Sequence, residues 1–294
     1  MKKVLVTGAT GLIGKELIKP LAETGFEIYA ITNQLDNRFD GVNWYYGDLF
    51  ETSFIEETMK KIKPQYLINL AWITTGDYYF SDKNYQFLNA GVNLIRAFKE
   101  NGGKRAIYAG SYFEYKFKDT PIKETDEINS MEDSYAFCKN KLREIVEFYC
   151  KINNISFGYG RIFNVYGRNE ASSRLMGMLI NNLSNNKEVV IKTPYLYKDY
   201  IYAKDIANAV VKFLNSTTEG VVNICSGKPV QIGEFAKIVA KKLNKEHLLI
   251  FANEKTSQPT FIVGDNTRLK NEIKYDLLYS IEKGVEDILL DINS

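Results

Sequence analysis

Short apolar, β-branched segments alternate along the chain with longer stretches whose apolar residues recur every three or four positions. The first pattern predicts buried strands and the second predicts amphipathic helices. The predicted strands are Val4–Thr7, Phe26–Thr32, Gln65–Ala71, Arg105–Ala109, Ser156–Ile162 and Val221–Cys225, and the predicted helices are Lys15–Glu23, Asn84–Glu100, Asp133–Asn153, Lys204–Asn215 and Ile232–Leu243. Strands that alternate with helices predict an α/β fold with a parallel sheet covered on both faces.

The last third of the chain is less regular, as in Lys192–Lys198 and Asn253–Thr260. Irregular segments that follow a regular sheet can build a smaller lobe over its edge. We therefore predict two domains. Residues 1–165 with about 188–225 form the large sheet domain, and residues 166–187 with 226–294 form the smaller lobe.

Charge and hydropathy exclude several kinds of partner. The 294 residues include 38 Lys and Arg against 36 Asp and Glu, and this net charge of +2 gives no reason to expect nucleic acid or a membrane surface as a partner. No apolar run approaches the roughly 18 residues that cross a bilayer. Gly8 and later glycines interrupt the apolar run after Met1, so we expect no signal peptide.

Cysteine and histidine are scarce, which limits the chemistry. The three cysteines, Cys138, Cys150 and Cys225, are far apart and form no CxxC motif. We therefore expect no disulfide framework, no metal site and a reducing, cytoplasmic location. The single histidine, His247, lies in a polar turn, so Ser-His-Asp hydrolysis and HExxH zinc chemistry are excluded unless they use it.

A glycine-rich turn connects the first predicted strand to the first predicted helix. Gly8, Gly11 and Gly14 have the spacing GxxGxxG rather than the usual GxGxxG. Glycine lets the backbone approach a pyrophosphate closely, and the phosphate charge then lies at the helix N-terminus. A tight strand–helix connection is the alternative, but the position at the start of the chain favours a dinucleotide cofactor.

The residues after the second strand bear on the choice between NAD and NADP. An acid there binds the ribose 2′-hydroxyl of NAD, whereas a cationic or small polar residue accepts the 2′-phosphate of NADP. Thr32, Asn33 and Gln34 follow the strand, the first acid is Asp36, and Arg38 comes after it. We expect NADP(H), with Asn33 and Arg38 near the phosphate. NAD(H) stays open because Asp36 can swing in.

Asp48 and Leu49 follow Gly47 at the end of a later apolar stretch. In folds of this kind, an aspartate and an apolar residue at a strand end can hold the adenine. The alternative is that Asp48 is a turn residue that caps the next helix.

One tyrosine and one lysine have the spacing of an acid–base pair. Tyr135 and Lys139 lie four positions apart on a predicted helix, so they share a face, and the lysine ammonium would favour the phenolate. The same spacing recurs at Tyr79/Lys83, Tyr112/Lys116, Tyr200/Lys204 and Tyr279/Lys283. Tyr135 is favoured because Ser111, at the carboxyl end of the strand Arg105–Ala109, can meet it there. Structural roles for both residues are the alternative.

These motifs, taken in order, resemble the extended short-chain dehydrogenase/reductase family, in its branch of nucleotide-sugar epimerases, dehydratases and reductases. The matching segments are Thr7 to Gly14, Gly47-Asp48-Leu49, Asn69-Leu70-Ala71, Asn89, Ser111 with Glu114-Tyr115, Tyr135 with Lys139, Arg161 to Gly167, Lys198 to Tyr202 and Asn223 to Gly227. The resemblance implies a Rossmann doubly wound parallel sheet with a smaller C-terminal substrate-binding lobe. It also implies a homodimer through Asn84–Glu100 and the helix that carries Tyr135.

The resemblance also implies roles for individual residues. Catalysis falls to Ser111, Tyr135 and Lys139. The residues expected to contact the cofactor are Gly8, Thr10, Gly11, Leu12, Ile13, Gly14, Asn33, Arg38, Asp48, Leu49, Leu70, Ala71, Tyr135 and Lys139, and those expected to contact a nucleoside-diphosphate sugar are Ser111, Tyr112, Asn164 and Lys198.

Departures from the family pattern reduce the number of family reactions that this chain can be expected to catalyse. Tyr112 and Phe113 follow Ser111, where the 4,6-dehydratases have Asp-Glu and the fucose-synthase type has a cysteine at the second position. Dehydration and two-base epimerisation are therefore not expected. Lys198 replaces an arginine and Gln258 replaces the arginine of a later Arg-Pro, and lysine lacks the bidentate fork of arginine.

A reaction that needs only serine, tyrosine, lysine and nicotinamide remains. We favour an NADP(H)-dependent reductase of a nucleotide-activated 4-keto-6-deoxysugar. An NAD-dependent 4-epimerase uses the same residues and stays open. A non-catalytic nucleotide-binding protein on the same fold is the third alternative.

Overall fold

A seven-stranded parallel sheet forms the centre of the computed structural model, which describes residues 1–34, 39–128, 133–252, 254–255 and 259–292. Its strands are β1 (Lys2–Thr7), β2 (Phe26–Thr32), β3 (Val42–Tyr46), β4 (Tyr66–Asn69), β5 (Arg105–Ser111) and β6 (Ser156–Ile162), followed later in the chain by Gly220–Ile224. The order across the sheet is Gly220–Ile224, β6, β5, β4, β1, β2, β3, and every pair is parallel. The order reverses between β1 and β4, which is where ligands bind in this architecture.

Helices on both faces of the sheet bury their apolar sides in two separate cores, and further helices lie beyond the sheet. The helices are α1 (Gly14–Glu23), α2 (Thr52–Ile62), α3 (Lys83–Glu100), α4 (Ser134–Ile152), α5 (Leu175–Ser184), α6 (Ala203–Asn215), α7 (Ile232–Lys242), α8 (Thr267–Asn271) and α9 (Ile281–Ile292). Apolar residues of α1 and α6 pack on one face, and those of α2, α3 and α4 pack on the other. Gly91 of α3 lets α4 approach closely, because a Cβ there would lie 2.7 Å from Leu142 Cδ2.

The predicted α/β class is confirmed, and so are the predicted strands and helices, with shifts at their ends. The pattern gave no prediction for β3 or α2. β3 lies at the edge of the sheet, and its residues are half-buried or exposed, so it lacks the apolar run of a central strand. No helix in the part of the chain that the structure describes is long and apolar enough to cross a membrane.

Smaller sheets and a third core lie beyond the main sheet. Their strands are β7 (Asn164–Tyr166), β8 (Val189–Ile191), β9 (Tyr197–Lys198), β10 (Tyr200–Tyr202), then β11 (Gly220–Ile224, the last strand of the main sheet), β12 (Val230–Gln231), β13 (Leu249–Phe251) and β14 (Phe261–Ile262). The third core joins α5, α7 and α9 with β7, β8 and β10. β8 pairs with β13 and not with the main sheet, although the predicted domain division groups it with the large domain.

Candidate active site

A cleft of about 510 Å³ lies at the carboxyl ends of β1, β2, β3 and β4. The residues predicted to contact the cofactor that line it are Gly8, Thr10, Gly11, Leu12, Ile13, Gly14, Asn33, Asp48, Leu49, Leu70 and Ala71. Arg38 and Asp36 lie outside the described residues. The cleft therefore brings together residues that are far apart in the chain.

The glycines of the first turn shape this cleft. Gly8 has a φ of +72°, and a Cβ on it would lie 2.8 Å from the amide nitrogen of Ala71. A Cβ on Gly14 would lie 2.1 Å from the carbonyl oxygen of Gly8. The N-terminus of α1 has no side-chain cap, and a helix N-terminus favours an anion. This turn fits a dinucleotide pyrophosphate.

The sequence left open whether Asp48 contacts the adenine or is a turn residue that caps the next helix, and the structure shows features of both. Its Oδ1 accepts a hydrogen bond from the amide of Phe50 at 2.9 Å, as in a turn, and the residue also lines the cleft. The cap of α2 is Glu51, so Asp48 does not cap that helix directly.

A second cavity of about 540 Å³ continues from the cleft, and Ser111, Tyr112, Tyr135, Lys139 and Asn164 line it. The Ser111 hydroxyl lies close enough to the Tyr135 phenol to lower its pKa. The Tyr112 hydroxyl donates to Asn164 Oδ1 at 2.9 Å. The cavity thus places the predicted serine, tyrosine and lysine beside the cofactor cleft.

The electrostatics of Tyr135 differ from the sequence expectation. Burial raises the pKa of Tyr135, and the neighbouring Ser111 hydroxyl offsets this only in part. The expected lowering by Lys139 is not found, because Lys139 Nζ donates to the carbonyl oxygen of Ala109 at 2.7 Å and lies 5.8 Å from the centre of the Tyr135 ring. Burial also lowers the pKa of Lys139 to about 8, against the opposing effect of Glu114.

A buried carboxylate holds Ser111 in place. Glu114 Oε1 accepts hydrogen bonds from the amide of Ser111 at 2.7 Å and from the Tyr159 hydroxyl at 2.8 Å. Its Oε2 accepts from Arg161 Nε at 2.9 Å, and both side chains are almost completely buried. Sequence reasoning did not assign this role to Glu114, although the Ser-x-x-Glu spacing of a capping box was a usable signal.

Four aromatic side chains that sequence reasoning also missed surround the Tyr135 ring. The ring centres of Tyr78, Phe113, Tyr79 and Trp72 lie 5.1, 6.2, 6.3 and 6.4 Å from it. Three of the four, Trp72, Tyr78 and Tyr79, come from the segment between β4 and α3, whose position depends on tertiary contacts. These rings surround the Tyr135 side chain, which is only 7% exposed.

Asn84, a buried residue at the start of α3, anchors that segment. Its Nδ2 donates to the carbonyl oxygen of Tyr78 at 2.7 Å and to Ser134 Oγ at 3.0 Å. Its Oδ1 accepts from Trp72 Nε1 at 2.8 Å. One amide therefore links the aromatic enclosure to the beginning of α4, which carries Tyr135.

The positions of two basic residues relative to the two cavities differ from the sequence prediction. Lys198, predicted to contact the substrate, lies on β9 and lines neither the cleft nor the second cavity. Arg174, which sequence reasoning missed, lines both. No sequence motif singled out Arg174, because it lies in a polar segment without a periodic pattern.

Comparison with known proteins adds independent findings. Residues 4–225 match the NAD dependent epimerase/dehydratase family. The chain is 27% identical to the dTDP-4-dehydro-6-deoxyglucose reductase of Escherichia coli, over 98% of this chain and 97% of that protein. It is 25% identical to the GDP-L-colitose synthase of Yersinia pseudotuberculosis, over 96% of this chain and 95% of that protein.

Solved structures with the same fold include two UDP-glucose 4-epimerases. The Thermotoga maritima protein, solved with UDP-glucose, superposes with a TM-score of 0.91 at 17% identity, over 99% of this chain and all of that chain. The Thermus thermophilus protein, solved with NAD, has a TM-score of 0.83 at 21% identity, over 98% of this chain and 99% of that chain. At these identities, the likeness concerns the fold.

Proposed function

Because the chain belongs to the NAD dependent epimerase/dehydratase family, we propose that it is an NADP(H)-dependent reductase of a nucleoside-diphosphate 4-keto-6-deoxysugar. The coarser description is a nicotinamide-dinucleotide-dependent enzyme of nucleotide-sugar modification. The proposal adds the direction of the reaction, its cofactor and the kind of sugar.

The observation that carries the proposal is the position of Tyr135 beside Ser111 in the second cavity, which adjoins the cofactor cleft. Elimination of water needs an additional acid and base, but aromatic Tyr112 and Phe113 follow Ser111, and their rings stack 4.4 Å apart. Reduction of a ketone needs one proton donor beside the hydride. Relatives named as a deoxysugar reductase and a colitose synthase support the same class.

Each of the three residues then has one task. Ser111 holds the ketone oxygen by a hydrogen bond, and Tyr135 gives its phenolic proton to that oxygen as negative charge develops. The raised pKa of Tyr135 suits this direction, because the phenol stays protonated until the stronger base appears. Lys139 would contact the cofactor, and nicotinamide, when bound, supplies the hydride.

The competing 4-epimerase function is favoured by the likeness to solved UDP-glucose 4-epimerases. It would use Tyr135 first as a base and then as an acid. We place reduction ahead of epimerisation because the relatives include a deoxysugar reductase and because Asn33 and Gln34, which follow β2, carry no acid for NAD.

The test is a panel of nucleoside-diphosphate 4-keto-6-deoxysugars incubated with NADPH, followed by absorbance and by mass spectrometry of the product. We expect stoichiometric oxidation of NADPH and a product heavier by two hydrogens. Mass spectrometry of ligands released from the purified protein completes the test. Retained NAD, with interconversion of 4-epimers and no net NADPH use, would establish the epimerase instead. Cofactor binding without turnover on any ketosugar would point to a non-catalytic protein.

We expect tighter binding of NADPH than of NADH. Asn33 and Gln34 line the cleft after β2, and neither carries a negative charge that would repel the 2′-phosphate. Asn33→Asp should reduce NADPH affinity about 10- to 100-fold, the value of one hydrogen bond to a charged group, and spare NADH. Titration of both cofactors into both proteins measures this. Equal or tighter NADH binding by the unaltered protein would contradict the prediction.

NADPH affinity should fall as pH rises through about 8. Burial lowers the pKa of Lys139 to about 8, so its ammonium is present below that pH and is lost above it. Lys139→Met should bind NADPH weakly and flatten the profile. Lys198, whose pKa burial also lowers to about 8, is the matched control, and Lys198→Met should keep the fall. If the NADPH affinity of Lys139→Met still falls as pH rises through about 8, a group other than Lys139 causes the pH dependence.

We also propose a homodimer through α3 and α4. Ile145, Phe148 and Ile152, three and four positions apart on α4, are exposed by 43%, 65% and 60%. Phe148→Asp should give a monomer in light scattering where the unaltered chain gives a dimer, because it places a charge in the apolar contact. Leu278→Asp, at an exposed leucine away from these helices, should leave the dimer intact. A monomeric unaltered chain would refute the dimer.

A further inference from the structure

Glu170 and Arg174 form an ion pair in the second cavity that the proposed reaction does not use. Arg174 Nε lies 2.6 Å from Glu170 Oε1, and Arg174 Nη2 donates to the carbonyl oxygen of Val165 at 3.1 Å. The Glu170 side chain is only 4% exposed, whereas that of Arg174 is 36% exposed. The carboxylate therefore orients a guanidinium that remains open to the cavity.

The pair has unused hydrogen-bonding capacity. Within the described ranges, Glu170 Oε2 is buried without a hydrogen-bond partner although the residue lines the cavity. The bonds to Glu170 and Val165 occupy two of the five N–H groups of a guanidinium. Buried polar atoms without partners are uncommon in proteins and call for a ligand or water. An acceptor beside several donors suits a ligand that carries hydroxyl groups next to an anion.

The backbone around Arg174 adds positive potential. Arg174 immediately precedes α5, a helix of 10 residues whose N-terminus has no side-chain cap. Ser173, Leu175 and Met176 line the same cavity, so the first turn of the helix faces it. Free amides at a helix N-terminus favour anions.

Lys198 is poorly suited to the diphosphate contact that the family resemblance implies. It lines neither cavity, and burial lowers its pKa to about 8, so part of its charge is lost near neutral pH. A guanidinium keeps its charge at every relevant pH and binds phosphate oxygens in a bidentate manner. Arg174 combines permanent charge with access to both cavities.

We propose that Arg174, oriented by Glu170, binds the diphosphate of the nucleotide-sugar substrate in the place expected for Lys198. This inference rests on the proposed nucleoside-diphosphate sugar substrate. Because Arg174 also lines the cofactor cleft, the pyrophosphate of the cofactor is the competing ligand, and the experiment separates the two.

The test measures binding without turnover. Isothermal titration with UDP, dTDP, GDP and CDP, each with saturating NADPH, first identifies the nucleotide that the unaltered protein binds. Arg174→Gln keeps a donor for Glu170 and removes the charge. We expect it to weaken binding of that nucleoside diphosphate about 10- to 100-fold, with little change for the nucleoside alone or for NADPH. Lys198→Met is the matched control and should change the affinity less than about threefold.

The outcomes separate this inference from the proposed function. A larger loss in Lys198→Met than in Arg174→Gln would overturn the inference. A loss of NADPH affinity in Arg174→Gln as large as that for the nucleoside diphosphate would assign Arg174 to the cofactor. Failure of the unaltered protein to bind any nucleoside diphosphate would also overturn it. Nucleoside-diphosphate binding that depends on Arg174, without reduction of any ketosugar, would support the inference while the reductase proposal fails.

Discussion

Replacement of Tyr135 by phenylalanine should lower kcat roughly 10²- to 10⁴-fold, the usual contribution of a general acid. The variant keeps the ring and its contacts with Tyr78 and Phe113 and removes only the hydroxyl that lies beside Ser111. Without that proton donor, hydride transfer to a ketone would leave an alkoxide that has no phenol beside it to protonate it. Affinity for NADPH should stay nearly unchanged, because the loss arises in the transition state. Steady-state kinetics and cofactor titration together check this.

Tyr79 offers a matched control for this change. It lines the same cavity, its ring centre is 6.3 Å from that of Tyr135, and it also precedes a lysine by four positions. Tyr79→Phe should alter kcat only slightly. Ser111→Ala should lower it by less than Tyr135→Phe, because the phenol remains. Full activity in Tyr135→Phe, or a greater loss in Tyr79→Phe, would show that another tyrosine is the acid.

Replacement of Arg161 by leucine should lower the free energy of unfolding by about 3–5 kcal/mol, the usual effect of removing one partner from a buried ion pair. The side chains of Arg161 and Glu114 are 1% and 0% exposed. The change would leave the Glu114 carboxylate without its cation and remove the guanidinium from the ring of Tyr115, whose centre lies 4.3 Å away. Denaturant unfolding followed by fluorescence measures the loss.

Two further variants make this prediction specific. The exposed pair Lys116 and Glu127, 3.2 Å apart, is the control, and Lys116→Leu should change stability little. Glu114→Leu combined with Arg161→Leu should cost less than the sum of the single changes, because no charge remains buried alone. Additive losses would show that the two side chains do not act as a pair. Since Glu114 also accepts a hydrogen bond from the amide of Ser111, Glu114→Leu alone should lower activity as well.

Local features of the sequence determined much of the architecture. The alternation of strands and helices, the parallel sheet and the turn with Gly8 and Gly14 all follow from short-range rules of periodicity and backbone freedom. Ser111 and Tyr135 were selected in the same way, because a strand end and a helix start are local events and the sheet brings them to one edge. The other residues of the cofactor cleft, such as Leu70 and Ala71, were expected from the family resemblance. The reaction assigned to them remains a proposal.

Only the tertiary structure decided the surroundings of these residues. Glu114 reaches Arg161 across 47 positions of the chain, and Arg174 enters both cavities from a segment without a regular pattern. Lys198 lies away from them on β9, and burial, rather than Lys139, controls the pKa of Tyr135. Desolvation and long-range pairing depend on which segments pack together. Residue types and spacings along the chain do not specify that packing, so they predicted where chemistry can occur but not the charges and partners at the site.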